Sequence, residues 1–160
     1  MAMSADGKIA KNSDHFPDWT SKEDKKMFMA VTKEHGVVIM GDKTFFMFPK
    51  PLPDRLNVVF TLLENPPVTE NVKWVTGEPE KVLADLEKEG CKSAILGGGT
   101  YMNTQFLERK LIDEIWLTIE PKIFGDGLGV FGGDFDVDLK LIDVLKINND
   151  SLIVKYRVIY

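Results

Sequence analysis

The chain has 160 residues, with 20 Lys and Arg against 25 Asp and Glu, for a net charge of −5. That length suits one domain of roughly 100–200 residues, and 44 % hydrophobic residues can fill a core without disulfide or metal support. The acidic balance argues against a nucleic-acid binder, which draws its affinity from Lys and Arg that neutralise phosphates. A small phosphorylated ligand needs only a local positive site and stays open. Cys91 is the lone cysteine, so no intrachain disulfide or thiolate metal cluster forms, and a reducing compartment fits. No run approaches about 18 consecutive apolar residues. Met1 to Lys8 lacks the basic and apolar regions of a signal peptide. The expectation is a cytoplasmic protein without membrane or nucleic-acid partners.

Met1 to Ala5 reads as a short strand, and residues 6–20 as polar and turn-rich. A helix follows over Ser21 to His35, with Thr20 and Glu23 as a capping box and Gly36 as the left-handed stop. Val37 to Met40 is a continuous apolar run, the mark of a strand buried on both faces. A short helix over Lys43 to Phe48 ends at the loop Pro49-Lys50-Pro51-Leu52-Pro53. Strands are expected over Leu56 to Thr61, with Asn57 as the weak point, and over Val72 to Thr76. A helix over Pro79 to Glu89 carries Pro79 in its first turn, where a missing N–H costs nothing. Ser93 to Leu96 is a short buried strand running into Gly97-Gly98-Gly99. Then come a helix over Tyr101 to Arg109, a strand over Asp113 to Glu120, and an irregular stretch over 121–137. Two strands, Asp138 to Ile147 and Ser151 to Tyr160, close the chain as a hairpin. Alternating strands and helices imply crossovers. The fold expected is a single α/β domain over residues 1–160: a mainly parallel eight-stranded sheet, an antiparallel C-terminal hairpin and four flanking helices.

In such sheets ligands bind at the carboxyl ends of the strands. Asp24 heads the helix face that also carries Met27, Phe28, Val31 and His35. It is either a first-turn acid complementing the helix dipole or a buried acid facing a pocket. Gly97, Gly98, Gly99 and Thr100 join a strand to a helix, where backbone N–H groups can cradle phosphate or simply make a tight turn. Gly41, Lys43 and Thr44 form a second such junction, and the two could hold the ends of a diphosphate. Arg55 follows a proline-stiffened loop, either as a fixed carboxylate-binding guanidinium or as a solvated surface residue. His15 and His35 have no partners at metal-ligand spacing, so no metal site is expected.

Taken in order, these residues resemble the dihydrofolate reductase superfamily over nearly the whole chain. Asp6 to Ala10 is similar to the family's entry into a mobile active-site loop. Trp19, Asp24, Phe28 and Thr32 keep the spacing of a loop Trp, a substrate-binding acid and two pocket-side helix positions. Val38 to Thr44 resembles the cofactor-binding strand and helix start, and Pro51 to Arg55 the segment whose Arg grips the folate carboxylate. In the second half, Gly97-Gly98-Gly99, Leu111 to Glu114 and Pro121 to Gly127 look like the riboflavin-pathway pyrimidine reductases, whereas Trp116-Leu117-Thr118 resembles the dihydrofolate reductase strand.

The resemblance implies that Asp24 binds the pterin and that Thr118 supports that carboxylate. It places Phe28, Met47 and Leu52 along the folate slot and Arg55 on its carboxylate. Ala2 would meet the nicotinamide through its backbone, and Ile9 would bind the cofactor. Gly41, Lys43 and Thr44, with Leu96 and the run Gly97 to Thr100, would hold the rest of it. The implied reaction is hydride transfer from NADPH to 7,8-dihydrofolate. The alternative is reduction of 5-amino-6-(5-phosphoribosylamino)uracil. Asp42 stands where the family commonly has an Arg for the cofactor's 2′-phosphate, which leaves NADH open, and Leu62-Leu63 lacks a hydroxyl often seen in the next cofactor loop. Monomer and homodimer are equally compatible with the sequence.

Overall fold

Residues 1–160 are described by a computed structural model. The elements are β1 (Ala2–Ser4), β2 (Lys8–Ala10), α1 (Lys22–His35), β3 (Val37–Gly41), α2 (Asp42–Phe45), β4 (Leu56–Phe60), β5 (Val72–Val75), α3 (Pro79–Lys88), β6 (Ile95–Gly98), α4 (Thr100–Glu108), β7 (Glu114–Glu120), β8 (Leu128–Gly129), β9 (Asp138–Lys146) and β10 (Leu152–Ile159). The apolar run of β3 is buried as its sequence demands, with Val37, Val38, Ile39 and Met40 each 4 % exposed or less. Strand side chains alternate between faces, and the core divides accordingly. Val37 and Ile39 join Val58, Val82, Leu86, Met102 and Phe106. Val38 and Met40 join Phe45, Leu52 and Val59, with Phe28 and Phe48 packed against them.

The α/β layering and the four helices agree with the sequence, but the single eight-stranded sheet does not. Strands form three sheets instead: β5-β4-β3-β6, all parallel; β1-β7-β10-β9, with only β1–β7 parallel; and the antiparallel pair β2-β8. No ladder joins β6 to β1. The β6 register slips opposite Ile39 and Met40, so Gly97 is an extra residue there. Gly98 then has φ +88°, a conformation only glycine takes without strain, and the Met1 side chain packs against it. That bent edge cannot continue a regular ladder. β2 and β8 fall in stretches expected to be irregular, since each is too short to show alternation; they form by pairing with each other.

Helix α1 starts differently from its expected box. Its N-cap is Ser21, whose hydroxyl accepts from the Asp24 N–H at 3.2 Å. Thr20 is displaced from that role because Glu120 Oε1, on β7, accepts from the Ser21 N–H at 2.7 Å and fixes Ser21 in the extended cap conformation. Glu23 turns to Asn148 Nδ2 (3.3 Å) instead of reaching back. The far end is as expected, with Gly36 left-handed at φ 73°. In the hairpin, Ile153, Val154 and Val158 of β10 are buried. No helix is long and apolar enough to cross a membrane.

Asn57 turns from weak strand residue into organiser of the loop before β4. It is fully buried. Its Oδ1 accepts from Leu52 N (3.1 Å), and its Nδ2 donates to Leu52 O (2.9 Å) and Asn71 O (3.2 Å). Asn57→Ala strands these buried backbone groups and is expected to lower stability on the order of 2–3 kcal/mol in urea unfolding. A loss below about half a kcal/mol would refute this role.

Candidate active site

Two glycine junctions meet at the carboxyl edge of the parallel sheet. β3 and β6 are parallel neighbours, with Met40 opposite Gly98. Gly41 opens α2 and Gly99 precedes α4. A Cβ on Gly99 would sit 3.5 Å from Thr44 Oγ1, so the two helix starts abut. A Cβ on Gly41 would press on Met102 Cγ at 3.3 Å, and one on Gly97 on Ile39 O at 3.4 Å. Gly41 and Gly97 therefore allow close packing of the two junctions that a side chain would crowd. The Thr44 hydroxyl makes no hydrogen bond within the chain, whereas Thr100 Oγ1 donates to Gly129 O at 2.6 Å. Lys43 is exposed, and Leu96 is half-buried against the core. The Thr44 hydroxyl and the Lys43 ammonium, both without a partner in the chain, together with the start of α4, form a chemistry that an anion such as the diphosphate of a dinucleotide would fit.

At the corner of β3 and β4, Asp42 Oδ2 accepts from Thr61 Oγ1 at 2.7 Å and its Oδ1 from the Lys43 N–H at 2.7 Å. Thr61, only 6 % exposed, accepts in turn from the Leu63 N–H at 3.1 Å. A hydroxyl does stand at the start of this loop, one residue before Leu62.

A second group of residues surrounds the first turns of α1. Asp24 is half-buried, and its carboxylate accepts no hydrogen bond from the chain. β1 lies beside β7 with Ala2 opposite Thr118, which is buried at 5 % exposure. The Met1 ammonium donates to Trp116 O at 2.8 Å. Burial pushes its pKa down, and the charge of Asp24 pulls it back up. Trp19 Nε1 is buried without any partner, an orphan donor of a kind native proteins rarely leave. Ile9 is half-buried in β2.

Arg55 is not the solvated surface residue that one reading allowed. It is 5 % exposed. Nε donates to Pro53 O (2.8 Å), and Nη1 donates to Met29 O (3.0 Å) and to Thr32 Oγ1. Nη2 makes no hydrogen bond within the chain. Burial lowers its pKa below the usual arginine value, and Asp54 opposes that. Asp54 itself is exposed and paired with Lys33 at 2.7 Å, so the guanidinium has no buried counter-ion. Because Arg55 grips α1 at Met29 and Thr32, it lies roughly 8–12 Å along the helix from Asp24 at 1.5 Å per residue. Between them are apolar walls: Phe28 stacks on Phe48 at 6.3 Å, and Leu52 is buried beside it, with Met47 half-buried nearby.

The model of the RibD C-terminal domain matches residues 1–153. The chain belongs to that family. A dihydrofolate reductase of Ureaplasma parvum is 38 % identical over 93 residues, which cover 58 % of this chain and 56 % of the relative. The match thus spans little more than half of that relative. RibD of Acinetobacter baumannii has a TM-score of 0.83 at 19 % identity, covering 100 % of this chain and 57 % of that one. Dihydrofolate reductase of Enterococcus faecalis, solved with NADP(H), has a TM-score of 0.75 at 21 % identity, covering 98 % and 92 %. At these identities the two structures establish the fold.

Within this RibD-type domain, two acids hold neighbouring loops: Glu120, which the sequence does not mark, and Asp6, which it marks only as the start of a loop motif. Glu120 is 3 % exposed, and its Oε2 accepts from Ser151 Oγ at 2.6 Å while Oε1 holds Ser21. No local pattern marks it, because its partners are 99 and 31 residues away. Asp6 accepts from Ser4 Oγ (2.5 Å), Phe124 N (3.1 Å) and Gly125 N (2.7 Å). It thereby pins the loop whose Phe124 ring meets Trp19 edge-on at 4.8 Å. The Ser4 hydroxyl first, and then these backbone N–H groups, hold the Asp6 pKa down to about 2. A depressed carboxylate stabilises the fold fully above its unfolded value of about 4 and loses that contribution as pH falls. Carbon-detected NMR should therefore show Asp6 titrating at about 2, with amide protection of Phe124 and Gly125 lost in the same step. An ordinary Asp6 titration near 4 would refute the tie.

Proposed function

We propose that this domain reduces 7,8-dihydrofolate to tetrahydrofolate with a reduced nicotinamide dinucleotide. The observation that carries the reading is the pairing along α1 of an unengaged carboxylate, Asp24, with a buried guanidinium whose Nη2 is free. Dihydrofolate is an elongated molecule whose two ends match them. Its pterin edge presents paired N–H donors, which a carboxylate accepts in two charge-assisted hydrogen bonds. Its glutamate carboxylate supplies the anion that Arg55 lacks. The aromatic middle would lie against Phe28, Phe48 and Leu52. Trp19 Nε1 offers a further donor to the pterin.

When bound, the nicotinamide supplies the hydride that goes to pterin C6. The protein's part is positioning and charge. Asp24 would orient the pterin and favour the proton at N5; Thr118, buried on β7, makes no hydrogen bond to that carboxylate within the chain, contrary to the sequence expectation, and would instead meet the pterin beside it. Thr44, Lys43 and the backbone of Gly97 to Thr100 would hold the diphosphate, and Ala2 and Ile9 the nicotinamide end. Residues 10–19, packed onto Phe124, would exclude water.

A second reading draws support from the family match itself: the same site reducing 5-amino-6-(5-phosphoribosylamino)uracil. Its substrate carries a ribose phosphate in place of the glutamate. Measuring oxidation of the reduced nicotinamide with each substrate separates the two. Dependence on dihydrofolate is expected, and turnover of the pyrimidine phosphate alone would replace the first reading with the second. Asp24→Asn keeps the shape and removes the charge. It is expected to lower kcat/KM for dihydrofolate on the order of 100-fold or more with unchanged thermal stability. Wild-type turnover by a folded variant would sink the proposal.

A further inference from the structure

The corner at the carboxyl ends of β3 and β4 carries a built polar pair that the reaction does not use. Asp42 is held by two donors, Thr61 Oγ1 and the Lys43 N–H, both at 2.7 Å. Its carboxylate is therefore fixed in place, with lone pairs left over. The Thr61 proton is committed to Asp42, and Thr61 receives the Leu63 N–H. The pair thus offers acceptors and no donor. Lys43 is the adjoining cation and is exposed, but its ammonium makes no ion pair with the Asp42 carboxylate. Around the corner stand exposed apolar groups: Phe46 is 56 % exposed, Leu62 94 % and Leu63 47 %.

Fixed acceptors beside exposed apolar surface suit a nucleoside, with hydroxyls to donate and a base to stack. In some dinucleotide-binding α/β sheets an acid near a strand's carboxyl end receives ribose hydroxyls, and Asp42 stands in a comparable place. A phosphate on that ribose would bring about two negative charges against a carboxylate that cannot swing away. We infer that the Asp42–Thr61 pair selects a dinucleotide whose adenosine ribose is an unmodified diol, so that this chain prefers NADH to NADPH. The inference rests on the proposed reductase reading and deepens it by naming the cofactor.

The test is equilibrium binding of each reduced dinucleotide to the full chain, read by energy transfer from tryptophan to the bound nicotinamide. NADH is expected to bind on the order of tenfold tighter than NADPH. Asp42→Asn should close most of that gap by strengthening NADPH. A second measurement needs no variant: raising salt screens the repulsion, so the NADPH-to-NADH affinity ratio of the wild type should rise. Equal or tighter NADPH binding by the wild type would overturn the inference. So would an Asp42→Asn ratio unchanged in a folded variant. Dihydrofolate turnover alongside either result would leave the reductase reading standing. Absence of binding by both dinucleotides would overturn the reductase reading and the inference together.

Discussion

The buried guanidinium of Arg55 ties the loop before β4 to the second half of α1. Three neutral acceptors, Pro53 O, Met29 O and Thr32 Oγ1, satisfy most of its donors without neutralising its charge. A buried charge is costly unless it is hydrogen-bonded and paired, and the pairing is missing. The arrangement holds the helix that carries Asp24 and leaves a positive charge in need of an anion. Under the proposed function, structure and recognition depend on the same group. Asn57, which braces the loop through Leu52, keeps Arg55 in register with its acceptors.

The opposite end of α1 is held by a buried acid. Glu120 joins the Ser21 N–H to the Ser151 hydroxyl, so β7, the terminal hairpin and the helix cap move as one. Ser21 then receives the Asp24 N–H. Asp24 is set by its own helix, and the helix is set at both ends by residues distant in sequence. Asp6 does similar work for the loop bearing Phe124. The site sits between the two larger sheets, where β6 and β1 run without a ladder. That break follows from Gly97 and Gly98, which also lie in the junction proposed to hold the cofactor's phosphates.

Much of this was legible in the residues. β3 announced itself by four apolar residues, α3 by Pro79, and the end of α1 by Gly36, because each depends on local chemistry. The two glycine junctions could be placed on strand–helix turns, although only the parallel pairing of β3 and β6 brings them together. β2 and β8 were not legible, since a strand of two or three residues owes its existence to a partner. The α1 cap lies one residue beyond the Thr20 its local pattern indicates, because Glu120, far along the chain, holds Ser21 in the cap conformation.

The sequence by itself determined the class of fold, the buried central strand and the residue types available for chemistry. Periodicity, turn residues and helix stops act over a few residues and can be read in order. The tertiary structure decided what each functional group faces. It turned Arg55 from a surface cation into a buried one, committed the hydroxyls of Thr61 and Thr100, and left those of Thr44 and the Trp19 indole unengaged. Those outcomes depend on hydrogen bonds between residues distant along the chain, and only folding brings such partners within reach.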